Sequence, residues 1–208
     1  MDNAEGSSSS LNDFSFTQRS VLVGTMLGDG CLAKHGRYHR LHMKHKAAHK
    51  SLIEFKYGVF REFISMPLHG FDQRLNGASY PCFQFATRTH PLFSDWYSRF
   101  YQSGRKIVPV EIAVEMTPLA LAVWIMDDGA ADHFGVTLQT HSFSFEEVGR
   151  LEEAVRERFD LATSVRGNRG RWIIYIKASS VGRLEEVVRP HLLRDFDYKL
   201  KPRRARTP

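Results

Sequence analysis

The sequence predicts an α+β protein built as a tandem, pseudo-twofold duplication of one αββαββα unit, and three observations predict it. The apolar run Leu22 to Gly30, LVGTMLGDG, closes on an acid and a glycine, and Leu121 to Gly129, LAVWIMDDG, does the same. The acids that close them, Asp29 and Asp128, stand 99 positions apart (128 − 29) in a chain of 208 residues. The order of elements around one run recurs around the other, and landmarks keep the spacing: Gly36 with Gly135, His42 with His141, Leu52 with Leu151. Self-similarity at a fixed period marks a repeated folding unit.

The elements follow in order. Ser15 or Thr17 caps a helix through Val21, Leu22, Val23, Met26 and Leu27 that ends at the Gly28-Asp29-Gly30 turn. From Arg37 to Lys46 the chain alternates, with Leu41 and Met43 on one face and Arg40, His42, Lys44 and Lys46 on the other, as a half-buried strand does. Leu52, Phe55, Val59, Phe60 and Phe63 then recur at helical spacing, predicting a helix from His49 to Ser65 ended by Pro67. Asn76-Gly77 suits a tight type I′ hairpin between two strands, and Pro91 opens a helix through Trp96 and Phe100 that stops near Gly104. In the second copy Thr117-Pro118 starts the apolar helix and a strand spans Val136 to Ser142. Ser144 and Glu147 form a capping box before a helix over Leu151 to Phe159, strands cover Thr163 to Gly167 and Arg171 to Lys177, and a helix covers Val181 to Leu193. The boundary between halves falls between Pro109 and Thr117. This gives a disordered leader at 1–13, half-domains at 14–109 and 110–202, and a basic tail at 203–208.

Composition narrows the function classes. With 42% apolar residues the chain can bury a core without staples. Cys31 and Cys82 lack the count and spacing of a disulfide framework or a metal site. No apolar run reaches the ~18 residues of a membrane span, so a soluble protein with no membrane partner is expected. The net charge of +6 favours an acidic partner, and its placement sharpens that reading. Between Lys34 and Lys56 seven basic residues face a single acid, Glu54. Five histidines share that window, but their spacing matches neither HExxH nor a zinc finger.

The duplication changes how the two acids are judged. Each ends an apolar helix, where the macrodipole is negative and disfavours an acid by about 0.3–1 kcal/mol. If the two helices pack together about a pseudo-twofold axis, with Gly24 and Ala122 allowing close approach, Asp29 and Asp128 meet at the seam. Facing carboxylates repel unless protonated or shared by a cation, and oxygen ligands suit a hard divalent metal. Such a site fits phosphoryl chemistry.

LVGTMLGDG and LAVWIMDDG, with FYQSGRKIVP, MTPLALAVWIMDDG, LQTHSFSFEEV and DYKLKP, resemble the two motif copies of the LAGLIDADG homing endonucleases, in the single-chain, double-motif branch. The resemblance runs from about Phe14 to Pro202. It implies a monomer whose antiparallel sheets form a saddle over the DNA major groove, with the motif helices at the seam. It further implies that Asp29 and Asp128, with the backbone of Gly28 and Asp127, hold two or three Mg2+ ions beneath the scissile phosphates, and that Lys106 and Lys199 assist there. The strand position near each metal, often glutamine in that family, is occupied by His42 and His141 on this reading. Asp127 is taken as a neighbour whose side chain has no metal role. Strand parity makes Arg40, His42, Lys44 and Lys46, then Thr137, Gln139 and His141, candidates for DNA contact, with Gln73, Arg74, Gln84, Arg166, Asn168, Arg169 and Arg171 on the outer hairpins. The expected partner is double-stranded DNA, cut at a long asymmetric site to initiate intron or mobile-element homing, in whatever compartment holds that site. The alternative is an intron RNA maturase or a non-cleaving DNA-binding protein of the same fold. A reverse-transcriptase reading of the WIMDDG turn leaves the duplication unexplained.

Overall fold

The structure, a computed structural model, describes residues 13–201. The proposed leader, apart from Asp13, and the proposed tail lie outside them. The first unit runs α1 (Phe16–Leu27), β1 (Cys31–His35), β2 (Tyr38–Lys46), α2 (Lys50–Val59), β3 (Ile64–Leu75), β4 (Ala78–Thr87) and α3 (Pro91–Phe100). A short hairpin, β5 (Tyr101–Gln102) and β6 (Arg105–Lys106), and a one-turn helix, α4 (Ile112–Glu115), lead to the second unit. That unit runs α5 (Pro118–Asp128), β7 (Gly129–Asp132), β8 (Gly135–Gln139), α6 (Phe145–Phe159), β9 (Thr163–Asn168), β10 (Arg171–Ile176) and α7 (Val181–Val188). Among the described residues no helix is long and apolar enough to cross a membrane.

Two four-stranded antiparallel sheets, ordered β1-β2-β4-β3 and β7-β8-β10-β9, repeat one topology. Local chemistry starts the helices where it should. Ser15 and Gln18 form a reciprocal capping box on α1, Ser144 and Glu147 another on α6, and Thr117 accepts from the Ala120 amide ahead of α5. Asn76 and Gly77 both take positive φ, as a type I′ turn between β3 and β4 requires. One continuous apolar core joins the two units through α1 and α5, whose residues from Val21 to Met26 and Ala120 to Met126 are almost wholly buried. A Cβ on Gly24 would collide with the Ala120 carbonyl oxygen and lie 2.7 Å from Val123 Cβ. Gly24 therefore packs directly against Ala120 and Val123 at the seam, where Ala122 is also fully buried. Gly24 and Val123 are equivalent positions in the two motifs, so a small residue packs on a large one across the axis.

Several element boundaries differ from the sequence reading. The second helix stops at Val59, and after a 3-10 turn at Arg61–Phe63 the chain enters β3, which carries Pro67 inside it. β3 is an edge strand and its register shifts between Met66 and His69, so a residue without an amide hydrogen is tolerated there. α3 ends at Phe100, and the turn at Ser103 and Gly104 belongs to the short β5–β6 hairpin. α6 begins at Phe145, β8 ends at Gln139, and α7 ends at Val188 before Pro190.

The constant spacing of 99 also breaks inside the first hairpins. Cys31 pairs with His42, whereas Ala130, its counterpart, pairs with Thr137. The second hairpin is thus four residues shorter, and the longer connection from Gln139 to α6 restores the register by Leu151. His42 and His141 are not structural equivalents. Gly36 sits at positive φ in its turn, while Gly135 lies within β8.

Candidate active site at the helix seam

α1 and α5 end side by side, and their packing brings Asp29 and Asp128 to a shared cavity of about 430 Å3 lined also by Gly28, Gly30, Cys31, Lys106, Gln139 and His141. Asp29 stands just past the end of α1 and is half-exposed; Asp128 is the last residue of α5. Burial, followed by repulsion from Asp29 and Asp127, pushes the Asp128 carboxyl up to about 7. The like charge gathered at the two helix ends is the property a cation would relieve.

Two lysines answer that charge in parallel. Lys106, on β6, donates to the carbonyls of Gly28 at 3.1 Å and Gly30 at 2.7 Å. Lys199, in the 3-10 turn Arg194–Lys199, donates to the carbonyls of Met126 at 2.6 Å and Asp127 at 2.8 Å. Each ammonium closes the C-terminal end of one motif helix, where carbonyls lack intrahelical partners and positive charge is favoured. Burial lowers Lys199 to about 8 and lowers Lys106 as well, against the opposing pull of the nearby acids. The backbone oxygens of Gly28 and Asp127 thus each accept from a lysine, and the carboxylate oxygens of Asp29 and Asp128 line the cavity as potential metal ligands.

A buried cluster lies on one side only. Lys56 of α2 donates to both carboxylate oxygens of Asp127, at 2.7 and 2.8 Å, and both side chains are fully buried. His45 of β2 sits between this pair and the cavity, 3.5 Å from Asp127 and 3.6 Å from Asp29. Burial, then the charge of Lys56, holds the His45 ring down to about 2, so it is neutral. Burial also raises Asp127, with Lys56 pulling the other way. Asp29, His45 and Asp127 have metal-ligand spacing. Lys56 nevertheless occupies both oxygens of Asp127, so that carboxylate serves the seam. Gly28, the counterpart of Asp127, has no side chain to make the same contact.

The sequence reading placed His42 beside the acids; the strand register instead brings His45 there. His42 points from the opposite face of β2, beside Ala86 and near Gln84. His141 does line the cavity, from the loop after β8. His45 and Lys56 were missed, yet both left a signal. His45 shares its strand parity with buried Leu41 and Met43, and Lys56 lies one turn from Leu52 and Phe60 on the apolar stripe of α2. A cation at such a position needs a buried partner.

Of the proposed DNA-contacting residues, Arg40, His42, Lys44 and Lys46 share the face of the first sheet turned away from its helices, with Gln84 and Gln73 in register. Arg74 alternates to the opposite face. In the second sheet Thr137 and Gln139 pair with Tyr175 and Ile173, while Arg166, Asn168 and Arg171 continue that face. Arg169 occupies the β9–β10 turn at positive φ. The aromatic side chains of Phe60, Phe63, Trp96 and Phe100 are core.

A family model described as the LAGLIDADG DNA endonuclease family matches residues 19–184. The DNA endonuclease I-ChuI of Chlamydomonas applanata is 29% identical over 205 residues, covering 88% of this chain and 94% of that protein. The cytochrome b mRNA maturase bI2 of Debaryomyces hansenii is 25% identical over 188 residues, covering 86% of this chain and 72% of that protein. The solved structure of the homing endonuclease I-WcaI bound to its DNA recognition sequence superimposes with a TM-score of 0.84 at 27% identity, covering 90% of this chain and 87% of that one. With the family model matched over most of its length, the chain belongs to the LAGLIDADG DNA endonuclease family.

Proposed function

We propose that the chain is a site-specific endonuclease that hydrolyses both strands of a long, asymmetric DNA duplex with Mg2+ and so initiates homing of an intron or mobile element. The observation that carries the reading is the convergence of Asp29 and Asp128 in one cavity, flanked by lysine-closed helix ends. The donor set fits a hard divalent cation: two carboxylates, one raised by burial and then by its neighbours' charge, with carbonyl oxygens beside them. Asp29 and Asp128 would hold two or three such ions between them, and the ions would neutralise phosphate charge and lower the pKa of attacking water.

The chain's own residues do the rest. The cationic face of the first sheet holds the phosphate backbone and aligns the duplex over the seam. Lys106 and Lys199 fix the ends of α1 and α5 and set positive charge beside the position where phosphate charge develops. Neutral His45 approaches the Asp29 carboxylate from the interior to 3.6 Å. The two halves act as one monomer, each acid serving the seam from its own side.

Selection of cleaved duplexes from a randomised library, with and without Mg2+, tests the reading; recovery of one long, imperfectly palindromic site only with Mg2+ is expected. The maturase relative favours one second reading, binding of structured intron RNA. Tight RNA binding with no duplex cleaved would replace the nuclease by that reading.

A further inference from the structure

The two sheets repeat one topology but not one size. β3 and β4 have 12 and 10 residues against 6 and 6 for β9 and β10, and β2 has 9 against 5 for β8. At ~3.3 Å per residue the outer hairpin of the first sheet spans about 40 Å and that of the second about 20 Å. Duplex DNA rises ~3.4 Å per base pair, so the strands run past roughly twelve and six base pairs respectively.

Their groove-facing chemistry differs in the same sense. On the first sheet Lys44 and Lys46 are exposed, the Arg40 Nε is buried without a hydrogen-bond partner, and Gln84 meets His69 of β3 at 3.0 Å. On the second sheet three of the candidate side chains are engaged within the protein. The Arg166 guanidinium lies 3.3 Å over the Tyr175 ring, Arg171 donates to the His141 carbonyl at 3.3 Å, and the Thr137 hydroxyl donates to the Ala130 carbonyl at 3.2 Å. Each sheet carries one acid: Asp132 at the end of β7 shares the face of Ala130 and Thr137, whereas Asp72 of β3 alternates to the face opposite Gln73.

We propose that the halves read unequal parts of the target: the first sheet specifies a long half-site and the second specifies a short one. The inference rests on duplex DNA being the substrate. Lys44 and Gln84, paired across β2 and β4 on the groove face, are its specificity-determining residues.

The test is selection of bound duplexes from a randomised library with Ca2+ in place of Mg2+, scored position by position, for the unaltered protein and for Lys44→Ala and Arg171→Ala. About twelve specified positions on one side of the centre and about six on the other are expected from these spans. Lys44→Ala should relax positions on the long side by tenfold or more and reduce the salt slope of binding by about one, with an unchanged melting temperature because Lys44 is exposed. Arg171→Ala should act on the short side. Sides of equal length, or a Lys44→Ala effect on the short side, would overturn the inference while leaving the nuclease reading in place. Enrichment of no duplex would overturn both.

Discussion

Replacing Lys56 with Met tests the buried seam. Its ammonium lies 2.7 and 2.8 Å from the two oxygens of Asp127, and neither side chain has any exposed surface. Removing the cation leaves a carboxylate in the core whose neighbours include neutral His45 at 3.5 Å and the more distant charge of Lys199. Breaking a buried pair from one side costs about 3–5 kcal/mol. For a chain of this size each kcal/mol is worth ~2–4 °C, so a fall of about 6–20 °C is expected. Methionine keeps the length of the lysine stem, so the loss reports charge rather than a cavity. The assay is urea and thermal denaturation of the unaltered protein, Lys56→Met, Asp127→Asn and the double variant. The double variant should be less destabilised than the sum of the singles by about 1–3 kcal/mol, because the second change removes the charge that the first leaves stranded. A single-variant loss below about 0.5 kcal/mol, or strict additivity, would refute the argument.

Other expectations follow from single contacts. Gly24→Ala drives a methyl group into the Ala120 carbonyl and Val123 at the seam, so overpacking of about 1–3 kcal/mol or more should appear in denaturant melts. Glu147 ties the linker to α6: Arg105 donates to its oxygens at 2.9 and 3.0 Å, as does the Val108 amide at 3.3 Å. Burial alone would raise this carboxyl, but hydrogen bonds from Arg105 and Ser144 outweigh it and hold the group down to about 2. The folded value is below the unfolded 4.5, so the contribution is present above pH 4.5 and is lost as pH falls toward 2. Glu147→Gln should flatten that acid limb, by on the order of 1–2 kcal/mol given the half-exposed Arg105, as followed by melting at pH 6, 4 and 3. Lys199→Met removes the cation from the end of α5 and should slow cutting at least tenfold with little change in duplex affinity, as separate cleavage and binding titrations would show.

The repeat of nine-residue words made the duplicated fold readable, since the apolar faces that pack α1 on α5 are the words themselves. Turn chemistry was equally local: Asn76-Gly77, Ser144 with Glu147, and Thr117-Pro118 all do what their types dictate. The limits of β3 were not readable, because Pro67 stops a helix or sits on a sheet edge with equal ease, and only tertiary pairing decides. The site was legible in its acids and lysines and not in its histidine. A fixed spacing pointed to His42 and His141, while a hairpin four residues shorter in the second half moved Thr137 opposite the Cys31-equivalent position. Parity along β2 carried the better signal, since it sets His45 with Leu41 and Met43 toward the interior. The role of the Asp127 side chain emerges only when α2 and α5, 71 residues apart in sequence at this contact, are brought together.

The central claim is that Asp29 and Asp128 form one composite cutting site. Strand-resolved cleavage of the selected duplex by Asp29→Asn and by Asp128→Asn, each with a parallel binding titration, tests it most directly. Loss of double-strand cutting in both variants, with duplex affinity nearly intact, is the predicted result. Unchanged double-strand cutting by both would contradict it.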